Sequence, residues 1–207
     1  MEILNILPLP IMKCNYIPSE IVLRYLHSEE MNSNVPRNEQ GSYGIFSKDT
    51  YLLNKSVYGD ISKFISEHAL KYAKENLGYD IEKIMFTQSW ISHKLPGQIH
   101  KDHSHSNSVI SGVYYFDNNS TTEPITFYRS TGVNGINSLQ VAINDNIARP
   151  MFECEIQPQF GDIILFPSYL FHSVKINTSG KVRKSLAFNC VPPIFGKKED
   201  LTELIIT

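Results

Sequence analysis

The chain contains little cysteine, and its cysteines are scattered. Cys14, Cys154 and Cys190 are the three cysteines among 207 residues, an odd number without C-x-x-C spacing. Such a set argues against the disulfide framework of a small secreted protein and is typical of reduced thiols. We therefore expect a cytoplasmic protein.

The chain also lacks an excess of positive charge and any long apolar run. Nineteen Lys and Arg against 21 Asp and Glu give a net charge of −2, which argues against a large electrostatic footprint on nucleic acid. No apolar run approaches the ~20 residues that a membrane helix needs. The N-terminal stretch MEILNILPLPIMKC has neither the basic start nor the small-residue cleavage site of a signal peptide. We expect no membrane segment and no nucleic-acid partner.

Apolar residues make up 42% of the chain, enough for a sizeable core. Hydrophobic spacing near 3.6 residues predicts two helices in the first eighty residues. The first opens at Pro18 and Ser19, and the second runs from about Asp60 to Leu77 and ends at Gly78. The apolar face of the first helix is expected to comprise Ile21, Val22, Tyr25 and Leu26.

After Tyr79 the pattern changes to short strand-like runs separated by Gly, Pro, Asn and Asp. An edge strand at 3–12 and a loop at 31–50 are predicted before this half. The further predicted strands are 81–91, 98–105, 109–117, 124–128, 138–143, 150–156, 162–166, 171–176 and 183–191. This order predicts an α+β, mainly β fold, a jelly roll with the N-terminal helices packed on one face.

We expect one domain over residues 1–207. Within it, residues 1–80 would form a helical support and residues 81–192 the jelly-roll core. Residues 193–207 would form a C-terminal tail.

The densest group of chemically active side chains lies in PGQIHKDHSHSNSVISGVYYF, residues 96–116. Three of the seven histidines, His100, His103 and His105, fall within six positions there, with Asp102 among them. Because alternate residues of a strand face the same side, His103 and His105 share one face, and His100 and Asp102 share the other. Two ligands at this spacing can hold one metal ion, so a third ligand is expected elsewhere.

His172, in the stretch GDIILFPSYLFHSV, is the candidate for the third ligand. With His100 and Asp102 it would complete the 2-His-1-carboxylate triad that suits non-haem Fe(II). With His103 and His105 it would complete a site of three imidazoles. Spacing alone favours the first set and leaves the second open.

Four segments together resemble the 2-oxoglutarate/Fe(II)-dependent oxygenase superfamily. They are SW at 89–90, the histidine stretch, GDIILFPSYLFHSV and VRKSLAFN, and they span roughly residues 85–192. The pattern is similar to that of an oxygenase subfamily of bacteria and tailed phages, approximately P-G-x5-H-x-H-x5-S-G-V-Y-Y, then F-P-x4-H-x-V, then R-x-S-x-x-F-N. The resemblance implies a double-stranded β-helix that uses Fe(II) with 2-oxoglutarate as cosubstrate.

The resemblance also decides between the two ligand sets. The subfamily's His-x-His falls on His103 and His105, which with His172 become the implied metal ligands. The superfamily usually has a carboxylate where His105 stands. Three neutral imidazoles leave a charge of +2 on such a site, which a dianionic cosubstrate would cancel.

The R-x-S pattern falls on Arg183 and Ser185, a pair that in the superfamily anchors the distal carboxylate of 2-oxoglutarate. A guanidinium can pair a carboxylate through two N–H groups, and the hydroxyl adds a third donor. Tyr115 and Asn189 are expected to line the same pocket. Trp90 is expected in the barrel core.

The resemblance therefore implies a dioxygenase that hydroxylates an unidentified substrate and releases succinate and CO2. Small molecules or protein side chains are the expected substrates, and polar loops within residues 117–160 are candidate lids. Two alternatives remain open. One is a cupin-type metal enzyme that does not use 2-oxoglutarate, and the other is a non-catalytic accessory domain that keeps the fold.

Overall fold

The computed structural model describes residues 9–32, 44–117, 123–128 and 153–206. Within these ranges the helices are α1 (Glu20–Ser28) and α2 (Gly59–Glu75), with short 3-10 turns at Leu52–Asn54 and Ser56–Tyr58. The strands are β1 (Met12–Asn15), β2 (Ile45–Phe46), β3 (Met85–Lys94), β4 (His100–His103), β5 (Ile110–Tyr114), β6 (Ile125–Tyr128), β7 (Glu153–Ile156), β8 (Asp162–Pro167), β9 (Phe171–Val174), β10 (Arg183–Val191), β11 (Ile194–Phe195) and β12 (Leu204–Ile205).

The strands form the double-stranded β-helix that the sequence predicted. The larger sheet has the order β1-β8-β5-β10-β3-β2, and the smaller sheet has the order β4-β9-β6-β7. From β3 to β10 the chain passes repeatedly from one sheet to the other, and all pairings within the two sheets are antiparallel. Two sheets between which the chain alternates in this way enclose a barrel, and its interior can hold a binding site.

Helix α2 shares the main hydrophobic core with the larger sheet. It ends shortly before Gly78, whose φ of +71° suits the residue that follows a helix. Each fully buried isoleucine of this helix contributes ~1.5–3 kcal/mol of hydrophobic stabilisation. The buried residues that α2 contributes to the main core are Ile61, Ile65, Ala69, Tyr72 and Ala73.

Helix α1 begins where the sequence predicted but buries a narrower face. The Ser19 hydroxyl accepts a hydrogen bond from the Val22 backbone N–H at 3.3 Å, which caps the helix. Val22 and Leu26 are buried, whereas Ile21 and Tyr25 are 57% and 49% exposed. The prediction that all four face the core is wrong, because this short helix contacts the domain along one stripe of residues spaced by four.

Two predictions for the N-terminal half are also corrected. Of the edge strand predicted at 3–12, residues 3–8 lie outside the described residues. The observed strand is Met12–Asn15, which pairs with β8 and begins after Pro10, a residue that cannot donate to a strand ladder. The loop predicted at 31–50 contains β2, which pairs with β3. The strand predicted at 138–143 lies outside the described residues, and so do most of the polar loops within residues 117–160 that were predicted as lids.

Alternation along β10 separates the core from the barrel interior. Leu186, Phe188 and Cys190 join the core beneath α2. Arg183, Ser185 and Asn189 have the opposite parity and lie on the inner face, where they are nevertheless buried. The sheet therefore carries an apolar face for stability and a polar face for a site.

Two expectations from composition can be compared with the fold. All three cysteines are free, as predicted, and Cys190 is buried. Among the residues that the structure describes, none of the helices combines the length and the apolar character that crossing a membrane requires.

Candidate active site

The three histidines that the resemblance selected come together at one edge of the smaller sheet. His103 of β4 lies directly opposite His172 of β9 in antiparallel register. The backbone N–H of His105 donates to the carbonyl oxygen of Ser168 at 2.9 Å, which ties His105 to the turn before β9. One ring nitrogen of each histidine lies within 4.8 Å of the other two. Nitrogens that share one ion at ~2.1 Å lie ~3–4 Å apart, so small ring rotations suffice to form a metal site.

The backbone determines which nitrogen two of these rings can offer to a metal. His103 Nδ1 contacts the Lys101 carbonyl oxygen at 2.8 Å, and His172 Nδ1 contacts the Leu170 carbonyl oxygen at 3.0 Å. A carbonyl only accepts, so Nδ1–H is the donor in both rings and Nε2 carries the lone pair. A histidine that binds a metal through one ring nitrogen usually donates a hydrogen bond from the other, and these two contacts are of that kind.

Burial keeps these imidazoles neutral. It lowers the pKa of His105 to about 4 and that of His172 to about 3, and the neighbouring His103 contributes to both shifts. The pKa of His103 is lowered as well, chiefly by burial. Neutral imidazole is the form that binds metal, so the three rings are in the required state at neutral pH.

The prediction that His100 faces away from His103 is wrong. The register of β4 against β9 shifts between these two residues, so regular alternation is lost and their rings stack with centroids 4.4 Å apart. Asp102 is exposed and lies outside the cluster. The structure thus brings His103 and His105 together with His172, the set of three imidazoles.

Aromatic side chains surround the cluster. The Phe166 and Phe127 rings lie 4.6 Å and 6.0 Å from the His172 ring, measured between centroids. The Trp90 ring lies 6.3 Å from that of His105. Trp90 is half-buried, so its expected place in the barrel core is wrong and it lies at the rim. The phenylalanines exclude water on one side of the cluster, and the indole side is the more open one.

Arg183, the expected anchor, lies inside the barrel with 3% of its surface exposed. Its Nη2 donates to the Tyr115 hydroxyl oxygen at 3.2 Å, and its Nε–H has no acceptor among the described residues. Burial raises the pKa of Tyr115, so this hydroxyl keeps its proton and can donate to an anion. Ser185 is buried on the same face of β10. The arrangement offers a guanidinium and two hydroxyls to one anionic group.

Asn189 supports the segment that carries His105. Its Oδ1 accepts a hydrogen bond from the Ser111 hydroxyl at 2.7 Å, and Ser111 Oγ lies 2.8 Å from Ser168 Oγ. The Ser168 carbonyl in turn accepts the His105 N–H. The expected contact of Asn189 with the cosubstrate stays a prediction.

Sequence reasoning missed Lys94, which is 0% exposed at the end of β3. It lies directly opposite Arg183 in the β3–β10 register, and its ammonium has no hydrogen-bond partner among the described residues. Burial first, and then the Arg183 charge, lower the pKa of Lys94 to about 6. The strand was predicted to end at residue 91, and a lysine beyond a strand end is ordinarily exposed, so the sequence carried no signal for this residue.

The histidines and the buried cations belong to one interior. Lys94 and Arg183 both contribute to the lowered pKa of His100, whose ring stacks on that of His103. One end of the barrel can therefore bind a divalent metal ion, and the adjoining end can bind an anion.

Residues 88–189 match the family model described as "Putative 2OG-Fe(II) oxygenase", where 2OG stands for 2-oxoglutarate. The match includes the three histidines, Tyr115, Arg183, Ser185, Asn189 and Lys94. No curated protein matches the chain.

Solved structures share the fold at low sequence identity. A prolyl-4-hydroxylase of Pseudomonas putida has a TM-score of 0.54 and 12% identity over 87% of this chain and 92% of its own. A 2OG-Fe(II) oxygenase family oxidoreductase of Burkholderia pseudomallei has a TM-score of 0.58 and 10% identity over 87% and 83%. The epimerase SnoN of nogalamycin biosynthesis, in complex with Fe3+ and alpha-ketoglutarate, has a TM-score of 0.60 and 11% identity over 95% and 81%.

Proposed function

Because residues 88–189 match the family model of the 2OG-Fe(II) oxygenases, we propose that this protein is an Fe(II)- and 2-oxoglutarate-dependent oxygenase that hydroxylates its substrate. The observation that carries the proposal is the pairing of two features in one barrel. His103, His105 and His172 present ring nitrogens within 4.8 Å of one another. Arg183 presents an Nε–H without a described acceptor on the inner face of the neighbouring sheet.

Each side of the site has a distinct task. His103, His105 and His172 hold the metal ion through their neutral imidazoles. Arg183 holds the distal carboxylate of 2-oxoglutarate. When bound, iron and the cosubstrate supply oxidative chemistry that converts 2-oxoglutarate and O2 to succinate and CO2.

Two further groups tune the cosubstrate pocket. Ser185 adds a hydroxyl donor beside Arg183. The Tyr115 hydroxyl accepts one guanidinium N–H at 3.2 Å and still has its own proton to donate. The phenylalanines beside His172 keep water from that side of the metal, so the substrate approaches from the Trp90 side.

We propose a small molecule or a protein side chain as the substrate. Structures that share the fold include an epimerase from nogalamycin biosynthesis and a prolyl hydroxylase of Trichoplax adhaerens in complex with a peptide fragment, so both substrate classes occur on this fold. The net charge of −2 argues against nucleic acid. Free cysteines support a cytoplasmic location. We further propose that residues 1–207 act as one domain, with residues 1–80 as its support.

Metal binding tests the first half of the proposal. The only tryptophan of the chain, Trp90, lies 6.3 Å from His105 between ring centroids, so anaerobic titration with Fe(II) should quench its fluorescence. His103→Ala, His105→Ala and His172→Ala should each abolish stoichiometric binding. His100→Ala is the matched control, because it removes a histidine from the same strand and should keep the iron. Loss of iron in the control alone would show that the ligand set is wrong.

Turnover tests the second half. Iron-loaded protein should convert 2-oxoglutarate to succinate slowly without substrate, and only with Fe(II) and O2. A panel of metabolites, peptides and single-stranded DNA should identify a stimulating class, and labelled dioxygen should appear in a hydroxylated product. Iron binding without any 2-oxoglutarate binding would favour a cupin-type enzyme. Failure to bind iron would favour a non-catalytic accessory domain.

A further inference from the structure

Lys94 carries a buried amino group that the described part of the chain does not pair. The residue is 0% exposed, and its Nζ has no hydrogen-bond partner among those residues. A buried amino group without a partner destabilises the folded state, whether it is protonated or neutral. A lysine held inside the barrel at this cost indicates a missing anionic partner.

Lys94 and Arg183 point to the same side of the sheet. They are directly opposite each other on β3 and β10, and such cross-strand neighbours have Cβ atoms ~4.5–5.5 Å apart. Burial and the Arg183 charge lower the pKa of Lys94, and the Glu123 carboxylate partly opposes them by raising it. One Glu123 oxygen accepts the Thr178 backbone N–H at 3.1 Å, and no ion pair joins Glu123 to Lys94 among the described residues. Two adjacent buried basic side chains thus have at most one acid near them among the described residues.

Lys94 shares its face of β3 with Trp90, whose ring lies 6.3 Å from that of His105. An anion that Arg183 holds inside the barrel is therefore within reach of the Lys94 side chain.

We propose that Lys94 is a second basic contact for the distal carboxylate of 2-oxoglutarate, beside Arg183. This inference rests on the proposed function. The carboxylate favours the protonated form of Lys94, and the ammonium formed on binding adds a charge-assisted hydrogen bond to those of the guanidinium. Two basic groups at one end of the pocket make it selective for 2-oxo acids that carry a second carboxylate.

Calorimetry on anaerobic, Fe(II)-loaded protein tests the proposal without turnover. Lys94→Met keeps the length of the side chain and removes its charge, and it should weaken 2-oxoglutarate binding by about tenfold or more. Binding of 2-oxobutyrate, which lacks the distal carboxylate, should change by less than about twofold. Lys184→Met is the matched control, because Lys184 lies next to Arg183 on the opposite face of β10 and should not affect either ligand.

A measurement on the unaltered protein covers the case in which Lys94→Met does not fold. Because the buried Lys94 has its pKa lowered to about 6, a carboxylate beside it should draw a proton onto the amine. Near neutral pH the binding enthalpy of 2-oxoglutarate should then depend on the ionisation enthalpy of the buffer, with net proton uptake.

The outcomes separate this inference from the proposed function. Unchanged 2-oxoglutarate affinity in Lys94→Met would overturn the role of Lys94 and leave the oxygenase proposal standing. Equal losses for 2-oxoglutarate and 2-oxobutyrate would also overturn it, because the contact would then not be to the distal carboxylate. An unfolded variant together with no proton uptake by the unaltered protein counts against it too. If the unaltered protein binds no 2-oxoglutarate, the proposed function fails and this inference fails with it.

Discussion

Arg183→Met is the substitution that most directly tests the anion pocket. Arg183 is 3% exposed and makes a hydrogen bond of 3.2 Å to a neutral phenol, while its Nε–H has no described acceptor. At least the Nε–H is therefore available to a ligand. Methionine fills a similar volume without charge, so the packing of the inner face should survive.

The expected loss follows from the bonds that a carboxylate would form. A guanidinium that pairs a buried carboxylate contributes charge-assisted hydrogen bonds, and truncating one partner of such a pair costs about 2–5 kcal/mol. At about 1.4 kcal/mol for each tenfold change, the dissociation constant of 2-oxoglutarate should rise by about 30-fold or more. Arg183→Lys keeps the charge but loses the planar fork, so its loss should be smaller.

Anaerobic calorimetry with Fe(II)-loaded protein measures the change, and Trp90 fluorescence shows that iron still binds. Tyr115→Phe extends the test, because its hydroxyl contacts the same guanidinium at 3.2 Å. The double variant Arg183→Met, Tyr115→Phe should lose less than the sum of the two single losses, since the groups share one ligand. An unchanged dissociation constant in Arg183→Met, with iron bound, would remove this residue from the cosubstrate site.

Three predictions concern the fold that holds the site. Gly112→Ala should destabilise the protein by about 1–3 kcal/mol in thermal or chemical unfolding, because the new Cβ would lie 2.3 Å from a buried phenylalanine ring. Gly59→Ala, with no heavy atom within 4 Å of its Cβ, should be neutral or stabilising by ~0.5–1 kcal/mol, and a larger loss there than at Gly112 would contradict the packing. Ile65→Ala should lower the free energy of unfolding by ~2–5 kcal/mol, whereas Ile21→Ala should change it by less than ~0.5 kcal/mol, and equal effects would refute the corrected face of α1. Lys94 has a folded pKa of about 6 against an ordinary value of 10.5, so between these values the unfolded chain holds a proton that the folded protein lacks, and stability should rise with pH. Lys94→Met should therefore stabilise the ligand-free protein most at and below about pH 6, and its advantage should shrink by up to ~1.4 kcal/mol per pH unit above that; an advantage that does not change with pH would argue that burial does not lower the pKa of Lys94.

Much of the architecture follows from local patterns in the sequence. Hydrophobic spacing determines α2, and Gly78 determines its end, because only local sterics and periodicity are involved. Short apolar runs between turn residues predict most strands and hence a jelly roll. The predicted burial of Ile21 and Tyr25 on α1 was wrong. Periodicity gives the direction of an apolar stripe on a helix, whereas the width of the stripe that is buried depends on what packs against it.

The features of the site also divide into those that the sequence predicted and those that depend on strand pairing. His103, His105, His172 and the Arg183 strand were predicted through the family resemblance, which supplied the register of the motifs. Spacing alone favoured His100 and Asp102 as ligands with His172. It could not decide that His100 stacks on His103, because the register shift in β4 arises from pairing with β9, a strand far along the chain.

Only the tertiary structure revealed Lys94. Its position depends on how far β3 extends and on which residue of β10 lies opposite, and both are set by pairing across about ninety residues of chain. Its burial without a partner depends further on the smaller sheet closing over the inner face. A sequence determines which residues can do chemistry, but the cost of a buried charge, and therefore the need for a ligand to offset it, exists only once the barrel has closed.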